Sequence, residues 1–441
     1  MWTRRVAVFL LMFAPALTHA QTPADSTAPQ TRPRTVPVPA QQEPQTPVVS
    51  PTPARMVVPQ QPVSAPTPAT TINVPSLTPV PAPTPVLAPL QPARPLAANK
   101  VRAHIAEAER AFKTRVHPTA MANALDFITL AALDPDSGQV HLLTMPKQTF
   151  LTPGMETTLT SSLGTLLRVR VVRPNYVNTA VIVADMTGRQ LAPLLVEYPI
   201  EKFGRYRETA YYTSAHPALL SPDLVKTGQA YVHTMIDLAA KRLKDKGVTI
   251  TPTIQDVAER LCLVEHVDHD RFRRESRVPL YEEVYALYAL NELDTYRYSV
   301  SFAGAGGMVQ MIPATYVMIR QQHPGVGLNP DFVAGMRNHG NALEAMLLYM
   351  QDTWNDMALD PDLSAARSAG LATQAELMAA GYNSNPARLA AYARRGGAGW
   401  RTLIPRETQM YLQIYKSVEA LMPFKSRVEK SNMPSAPIAT P

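Results

Sequence analysis

One short stretch of the sequence combines residue types that could do acid–base chemistry beside a bound ligand. Glu292 ends an apolar run, and its spacing of four from Tyr288 and of eight from Val284 puts the three side chains on one helix face. A carboxyl group among apolar side chains loses hydration and holds its proton more strongly, as a general acid requires. The small residues 303–307 would let a ligand approach the backbone, and Gln310 offers an amide to a hydroxyl or acetamido group.

The pattern around these residues resembles a known family. Glu292 is followed after eleven residues by Gly-Ala-x-Gly-Met-x-Gln-x-x-Pro-x-Thr at 304–315, which is similar to the soluble lytic transglycosylases with a lysozyme-like fold. Gly381-Tyr382-Asn383 stands where that family has Ala-Tyr-Asn, and 405–411 is similar to its closing Pro-x-Glu-Thr-x-x-Tyr. The resemblance covers about residues 280–420.

The resemblance implies an activity and a set of site residues. Glu292 would be the acid and base that cleaves the β-1,4 bond between N-acetylmuramic acid and N-acetylglucosamine in peptidoglycan glycan strands, with 1,6-anhydro ends as products. The substrate's own acetamido group would stabilise the developing charge, so a second enzyme carboxylate is not required. The residues implied to orient the acid or line the groove are Met308, Gln310, Tyr382, Asn383 and Tyr411.

Two departures from the family pattern keep alternatives open. Leu293 replaces the serine that usually follows the catalytic glutamate, and Ser384-Asn385 replaces a small Ala-Gly pair. The alternatives are a muramidase that hydrolyses the same bond and a non-catalytic protein that binds peptidoglycan or assists its assembly. Retention of an acid at position 292 favours an enzyme.

The N-terminal part predicts export. Arg4 and Arg5 precede a dozen apolar residues and a small-residue site ending at Ala20, which is typical of a cleaved signal peptide and indicates a periplasmic or secreted protein. Residues 21–98 are rich in proline, which predicts a disordered tether. No other stretch is apolar enough to span a membrane, so the mature chain is expected to have no membrane span.

The rest of the chain predicts an α+β protein. We expect a mixed α/β module at 99–215, a mainly helical lysozyme-like domain at 221–425 and a disordered tail at 426–441. Within the module we expect two helices over 100–133, followed by strands. From Ser221 onward we expect a helix over 221–246, a second that starts at 251–253, and further helices over 280–291, 313–323, 341–354, 373–380, 386–394 and 407–421.

Charge and metal-ligating residues add limits on partners. The net charge of +7 in an exported chain favours an anionic polymer such as peptidoglycan over nucleic acid. His266 and His269 have a spacing compatible with a metal on a helix, but neither a His-Glu-x-x-His motif nor an obvious third ligand accompanies them. We therefore interpret them as a polar helix end and expect neither metal nor cofactor. The sequence names no protein partner.

Overall fold

The computed structural model describes residues 88–115, 124–301 and 303–428. These residues contain both helices and an antiparallel sheet, so the predicted α+β class is confirmed. The predicted signal peptide, most of the predicted tether and most of the predicted tail lie outside the described residues.

Seven strands of the described chain form one sheet. They are β1 Phe127–Leu133, β2 Val140–Pro146, β3 Glu156–Thr160, β4 Leu166–Arg173, β5 Ala180–Asp185, β6 Gln190–Lys202 and β7 Arg205–Tyr212. Their order is β2-β1-β6-β5-β4-β3, with β7 also paired to β6, and every pair is antiparallel. The long strand β6 joins the two halves of the sheet, because it pairs with β5, β1 and β7 along its length.

Both faces of the sheet are covered, and strand β1 shows why. Successive side chains of a strand point to opposite faces. Ile128 and Leu130 face the main core, which continues into the helices, whereas Ala131 and Leu133 face a second cluster that contains Phe112. An apolar residue is therefore needed at nearly every position of this strand.

The described residues also form thirteen α-helices. They are α1 Ala98–Thr114, α2 Lys147–Phe150, α3 Pro222–Asp245, α4 Pro252–Val264, α5 His269–Arg274, α6 Arg277–Asn291, α7 Pro313–Gln322, α8 Phe332–Arg337, α9 His339–Leu359, α10 Pro361–Ser368, α11 Gln374–Asn383, α12 Leu389–Gly396 and α13 Arg406–Leu421. Helix α4 is buried along most of its length, since nine of its residues, Glu259 among them, are buried. Its C-terminal end is thus held firmly by its neighbours.

Two of the helices begin at capping residues that can be recognised in the sequence. The Ser221 side chain accepts a hydrogen bond from the backbone of Leu224, and Pro222 opens α3. Thr373 and Glu376 form a reciprocal capping box at the start of α11. The predicted helices that begin at these residues are found within one or two residues of their expected starts.

Two expectations for the chain order are wrong. Within 100–133, the described residues 100–115 and 124–133 contain one α-helix and then β1, not two α-helices, because the fully apolar run of β1 carries no periodicity that separates helix from strand. Helix α11 continues through Tyr382 and Asn383, which the sequence placed just after a helix. Helices α5, α8 and α10 were not predicted; each has an aspartate N-cap.

The folded part extends beyond both predicted boundaries. The backbone amide of Gln91 donates to Gly188, and that of Leu96 donates to Ala218, so residues before 98 already pack on the fold. At the other end, Ser426 and Arg427 hydrogen-bond to Asp256 on α4. Within the described ranges, no helix combines the length and apolar character that crossing a bilayer requires.

Candidate active site

Glu292 lies at the C-terminal end of α6 with its side chain in solvent. The side chain is 63 % exposed, and Arg102 on α1 lies at the limit of ion-pair distance, with Nη2 4.0 Å from Oε1. Asn291 beside it binds both the amide and the carbonyl of Thr213, which ties the end of α6 to the end of β7. The expected apolar surroundings of Glu292 are therefore wrong, because the face shared with Tyr288 ends before the carboxylate.

The backbone around the sequence motif is strained. Glu292, Tyr296 and Gln310 have φ of 47°, 58° and 47°, values that side-chain-bearing residues rarely adopt. Such conformations cost roughly 1–3 kcal/mol each and persist where the surrounding structure imposes them. Because three such residues occur within nineteen positions, we infer that the surrounding structure, and not local backbone preference, determines the conformation of 292–310.

The glycine-rich turn is held closely against helix α8. Gly307 has φ +67°, and a Cβ there would lie 2.3 Å from the carbonyl oxygen of Met336. The turn needs glycine both for its dihedrals and for this close approach. The small residues were expected to let a ligand approach the backbone. At Gly307 the group that approaches is Met336 of the protein itself.

Two residues expected to contact a ligand are used inside the protein. Met308 is fully buried, so the expectation that it lines a groove is wrong. The amide nitrogen of Gln310 donates to the carbonyl of Gly307 at 2.7 Å and to Ser299 Oγ at 3.3 Å. This amide nitrogen therefore braces the turn that precedes α7.

A second carboxyl group, Glu265, lies at the C-terminal end of α4. It is half-buried, and Tyr411 on α13 donates its hydroxyl to Glu265 Oε1 at 2.6 Å. Tyr411 is itself 3 % exposed, so this contact fixes the carboxyl group from the protein side. Burial and then the charge of Glu265 raise the pKa of Tyr411 well above its usual value near 10, so the hydroxyl keeps its proton as a donor.

Tyr382 on α11 belongs to the same group. Burial, and then the negative charge of Glu265, raise the pKa of Tyr382 well above its usual value near 10. The Tyr382 hydroxyl donates to the carbonyl of Val309 at 2.6 Å, which connects α11 directly to the glycine-rich motif. Asn383 follows on the last turn of α11 and is half-buried.

His266 joins the end of α4 to the motif from the other side. Its Nε2 donates to the carbonyl of Met308 at 2.9 Å, and its ring stacks on Tyr296 with centroids 3.4 Å apart. His266 thus has a structural task in this arrangement. No group of three or more histidine, cysteine, aspartate or glutamate side chains in the described ranges is arranged to hold a metal ion.

The glycine-rich motif is therefore connected to the neighbourhood of Glu265 through His266 and Tyr382. Tyr411 binds this carboxyl group, Tyr382 is within its electrostatic range, and His266 and Tyr382 hold the carbonyls of consecutive motif residues. Glu292 instead faces Arg102 on α1, and its charge adds to the effect of burial in raising the pKa of Tyr231 on α3. The tyrosines expected beside Glu292 are thus brought together around a different acid.

A cavity of about 490 Å³ opens beside Leu293. Its walls come from the turn after α6 and from α8, and two of its lining residues are the arginines Arg297 and Arg337. Both arginines form ion pairs with Glu208 on β7, at 3.5 and 2.6 Å. Glu208 therefore offsets much of the positive charge that the two arginines bring to this cavity.

Sequence reasoning missed Glu265, although a signal was present. The run Leu261-Cys262-Leu263-Val264 places an acid directly after four apolar residues, which is the pattern that drew attention to Glu292. The neighbouring histidines led to an interpretation of 265–270 as a polar helix end. The decisive contact with Tyr411 spans 146 residues and has no local signature.

Comparison with known proteins returns no significant similarity: no family model matches the chain, and neither a curated protein nor a solved structure does.

Proposed function

We propose that this chain is a peptidoglycan lytic transglycosylase and that Glu265, rather than Glu292, is its catalytic acid and base. The observation that carries the proposal is the hydrogen bond from Tyr411 to Glu265. Tyr411 belongs to the last of the three sequence motifs that resemble the family. The other two motifs are joined to each other by the hydrogen bond from Tyr382 to Val309, and Tyr382 is close enough to Glu265 for the carboxylate charge to raise its pKa.

The protein environment of Glu265 suits general acid–base catalysis. A catalytic acid needs partial shielding from water and a fixed orientation, yet it must remain reachable by substrate. Glu265 is half-buried at the end of a largely buried helix, and Tyr411 donates a hydrogen bond to one carboxyl oxygen. Glu292, at 63 % side-chain exposure, has far less shielding from solvent.

The proposed reaction runs in two steps on one carboxyl group. Protonated Glu265 gives its proton to the glycosidic oxygen as the bond from that oxygen to the anomeric carbon breaks. The acetamido oxygen of the muramic acid residue then bonds to the anomeric carbon, so a second enzyme carboxylate is not needed. In the second step, ionised Glu265 takes the proton of the sugar's 6-hydroxyl. The 6-oxygen bonds to the anomeric carbon, the acetamido oxygen leaves, and a 1,6-anhydro ring results.

The wider setting of the proposal is a lysozyme-like helical domain at 221–425 acting on cell-wall glycan outside the cytoplasm. The predicted signal peptide, cleaved after Ala20, would export the chain. Its net charge of +7 suits a polymer whose peptide stems carry carboxylates. The proposed chemistry needs no cofactor.

The test is the product spectrum of purified peptidoglycan treated with the chain from Gln21 onward. The wild type should release muropeptides lighter than hydrolysis products by the mass of one water molecule. Glu265→Gln should lower the rate by about 10²–10⁴-fold, because the general acid is lost while glutamine keeps an oxygen to accept from Tyr411. Glu292→Gln is the matched control and should stay within about threefold of wild type, as expected for a group outside the chemistry.

Each contrary result has a distinct meaning. Loss of activity in Glu292→Gln with activity kept in Glu265→Gln would return the catalytic role to Glu292. Products of hydrolytic mass would make the protein a muramidase. Retention on insoluble peptidoglycan with no product from the wild type would support the non-catalytic binding protein.

A further inference from the structure

The hairpin between β6 and β7 ends in an exposed tip that combines aromatic and basic residues, Lys202–Arg207, hereafter the aromatic–basic tip. All six of its residues are exposed, with Phe203 at 67 % and Tyr206 at 56 %. Large apolar side chains at this exposure lose hydrophobic stabilisation unless they meet another surface.

The turn itself carries an unusual residue for its shape. Lys202 pairs with Arg205, so Phe203 and Gly204 form a two-residue loop, and their φ values are 55° and 67°. A loop with both residues at positive φ favours asparagine or glycine at its first position. Phenylalanine at that position is unfavourable for folding, and backbone strain of this kind is typical of functional positions.

The charges of the tip are segregated. The flanking acids turn toward the body of the protein, because Glu201 pairs with Lys147 at 3.4 Å and Glu208 pairs with Arg337 at 2.6 Å. The cations Lys202, Arg205 and Arg207 form no ion pair within the described ranges. The tip therefore presents positive charge together with two exposed rings.

A register shift in the hairpin determines where Arg207 lies. Ile200 pairs with Glu208, whereas Glu201 pairs with Tyr206, so Arg207 is the extra residue of a β-bulge. Bulges increase strand twist and redirect side chains. Arg207 therefore has no paired residue on β6.

We propose that the aromatic–basic tip binds the surface of an anionic lipid bilayer. Aromatic rings favour the interface between water and lipid, and arginine and lysine are attracted to anionic headgroups. The tip is a convex hairpin end rather than a groove, so it suits shallow insertion into a soft surface better than the enclosure of a glycan chain. This contact is independent of the proposed glycan-cleaving activity and would hold the enzyme near the membrane.

The test is co-sedimentation of the chain from Gln21 onward with vesicles of phosphatidylcholine alone or mixed with phosphatidylglycerol. We expect binding only to the mixed vesicles, with weakening at high salt. Arg205→Gln with Arg207→Gln should lower the partition coefficient about 25-fold, since each cation near an anionic surface contributes about fivefold. Phe203→Asn should also weaken binding while leaving the melting temperature unchanged or raised, because asparagine suits this turn.

The matched control removes two exposed cations elsewhere, Lys226→Gln with Lys244→Gln on α3, and should leave binding within about twofold of wild type. Failure of the wild type to bind mixed vesicles overturns the proposal. So does equal binding by the Phe203→Asn, Arg205→Gln, Arg207→Gln triple variant. A triple variant that binds vesicles normally but loses affinity for insoluble peptidoglycan would assign the tip to the wall polymer instead.

Discussion

Tyr411 and Tyr415 lie one helical turn apart on α13, and their hydroxyl groups differ in hydrogen bonding. The Tyr411 hydroxyl donates to Glu265 at 2.6 Å, whereas the Tyr415 hydroxyl is buried with no hydrogen-bond partner in the described structure. A hydrogen bond donated to a carboxylate both orients it and favours its charged form. Tyr411 is therefore a positioning residue for the proposed acid.

Tyr411→Phe should lower kcat by roughly 10–100-fold, because small losses of orientation at a catalytic group have effects of this size. It should also move the alkaline limb of the rate–pH profile to higher pH, since protonated Glu265 is the proposed reactive form and loss of the donor disfavours its ionised form. Tyr415→Phe is the matched control and should leave both quantities unchanged. An unshifted pH profile in Tyr411→Phe would contradict the positioning role.

At the scale of elements, α3 and α6 pack with their backbones almost in contact. A Cβ on Gly228 of α3 would lie 1.8 Å from the carbonyl oxygen of Tyr285 on α6. Gly228→Ala should therefore separate the two helices and lower the free energy of unfolding by about 1–3 kcal/mol, measured by urea denaturation. Gly325→Ala, where a Cβ meets nothing within 4 Å, should change it by less than about 0.5 kcal/mol. Equal stability of the two variants would contradict this packing.

The same scale separates what the sequence could predict from what it could not. Helices α3, α4, α7 and α13 were predicted because their caps, prolines and periodicity are local signals. Strand β1 was missed because burial on both faces removes the alternation that identifies a strand. The acid was assigned to Glu292 because spacing along the chain resembles a family pattern, whereas the contact of α4 with α13 that singles out Glu265 is set only by tertiary packing.

At the scale of the whole molecule, ionised carboxylates brace both the sheet and the helical part. Hydrogen bonds from Arg189 lower the pKa of Asp134, in the loop after β1, to about 2. Burial by itself would raise the pKa of Glu376 on α11, but hydrogen bonds from Arg401 and Lys416 lower it to about 2, from an ordinary value of 4.5. Both groups must therefore be protonated when the protein unfolds in acid.

The sign of the pH dependence follows from these lowered values. The stabilisation by Glu376 is fully present above pH 4.5 and is lost as pH falls from 4.5 toward 2; it amounts to about 3 kcal/mol. Glu376→Gln should destabilise the protein at pH 7 and reduce the further loss of melting temperature between pH 5 and about pH 2.5, since the variant has no such carboxyl to protonate. Glu282→Gln, at a half-buried glutamate without an ion pair in the described structure, should follow the wild-type curve. A Glu376→Gln curve parallel to wild type would show that acid unfolding is governed by other carboxylates, Asp134 first among them.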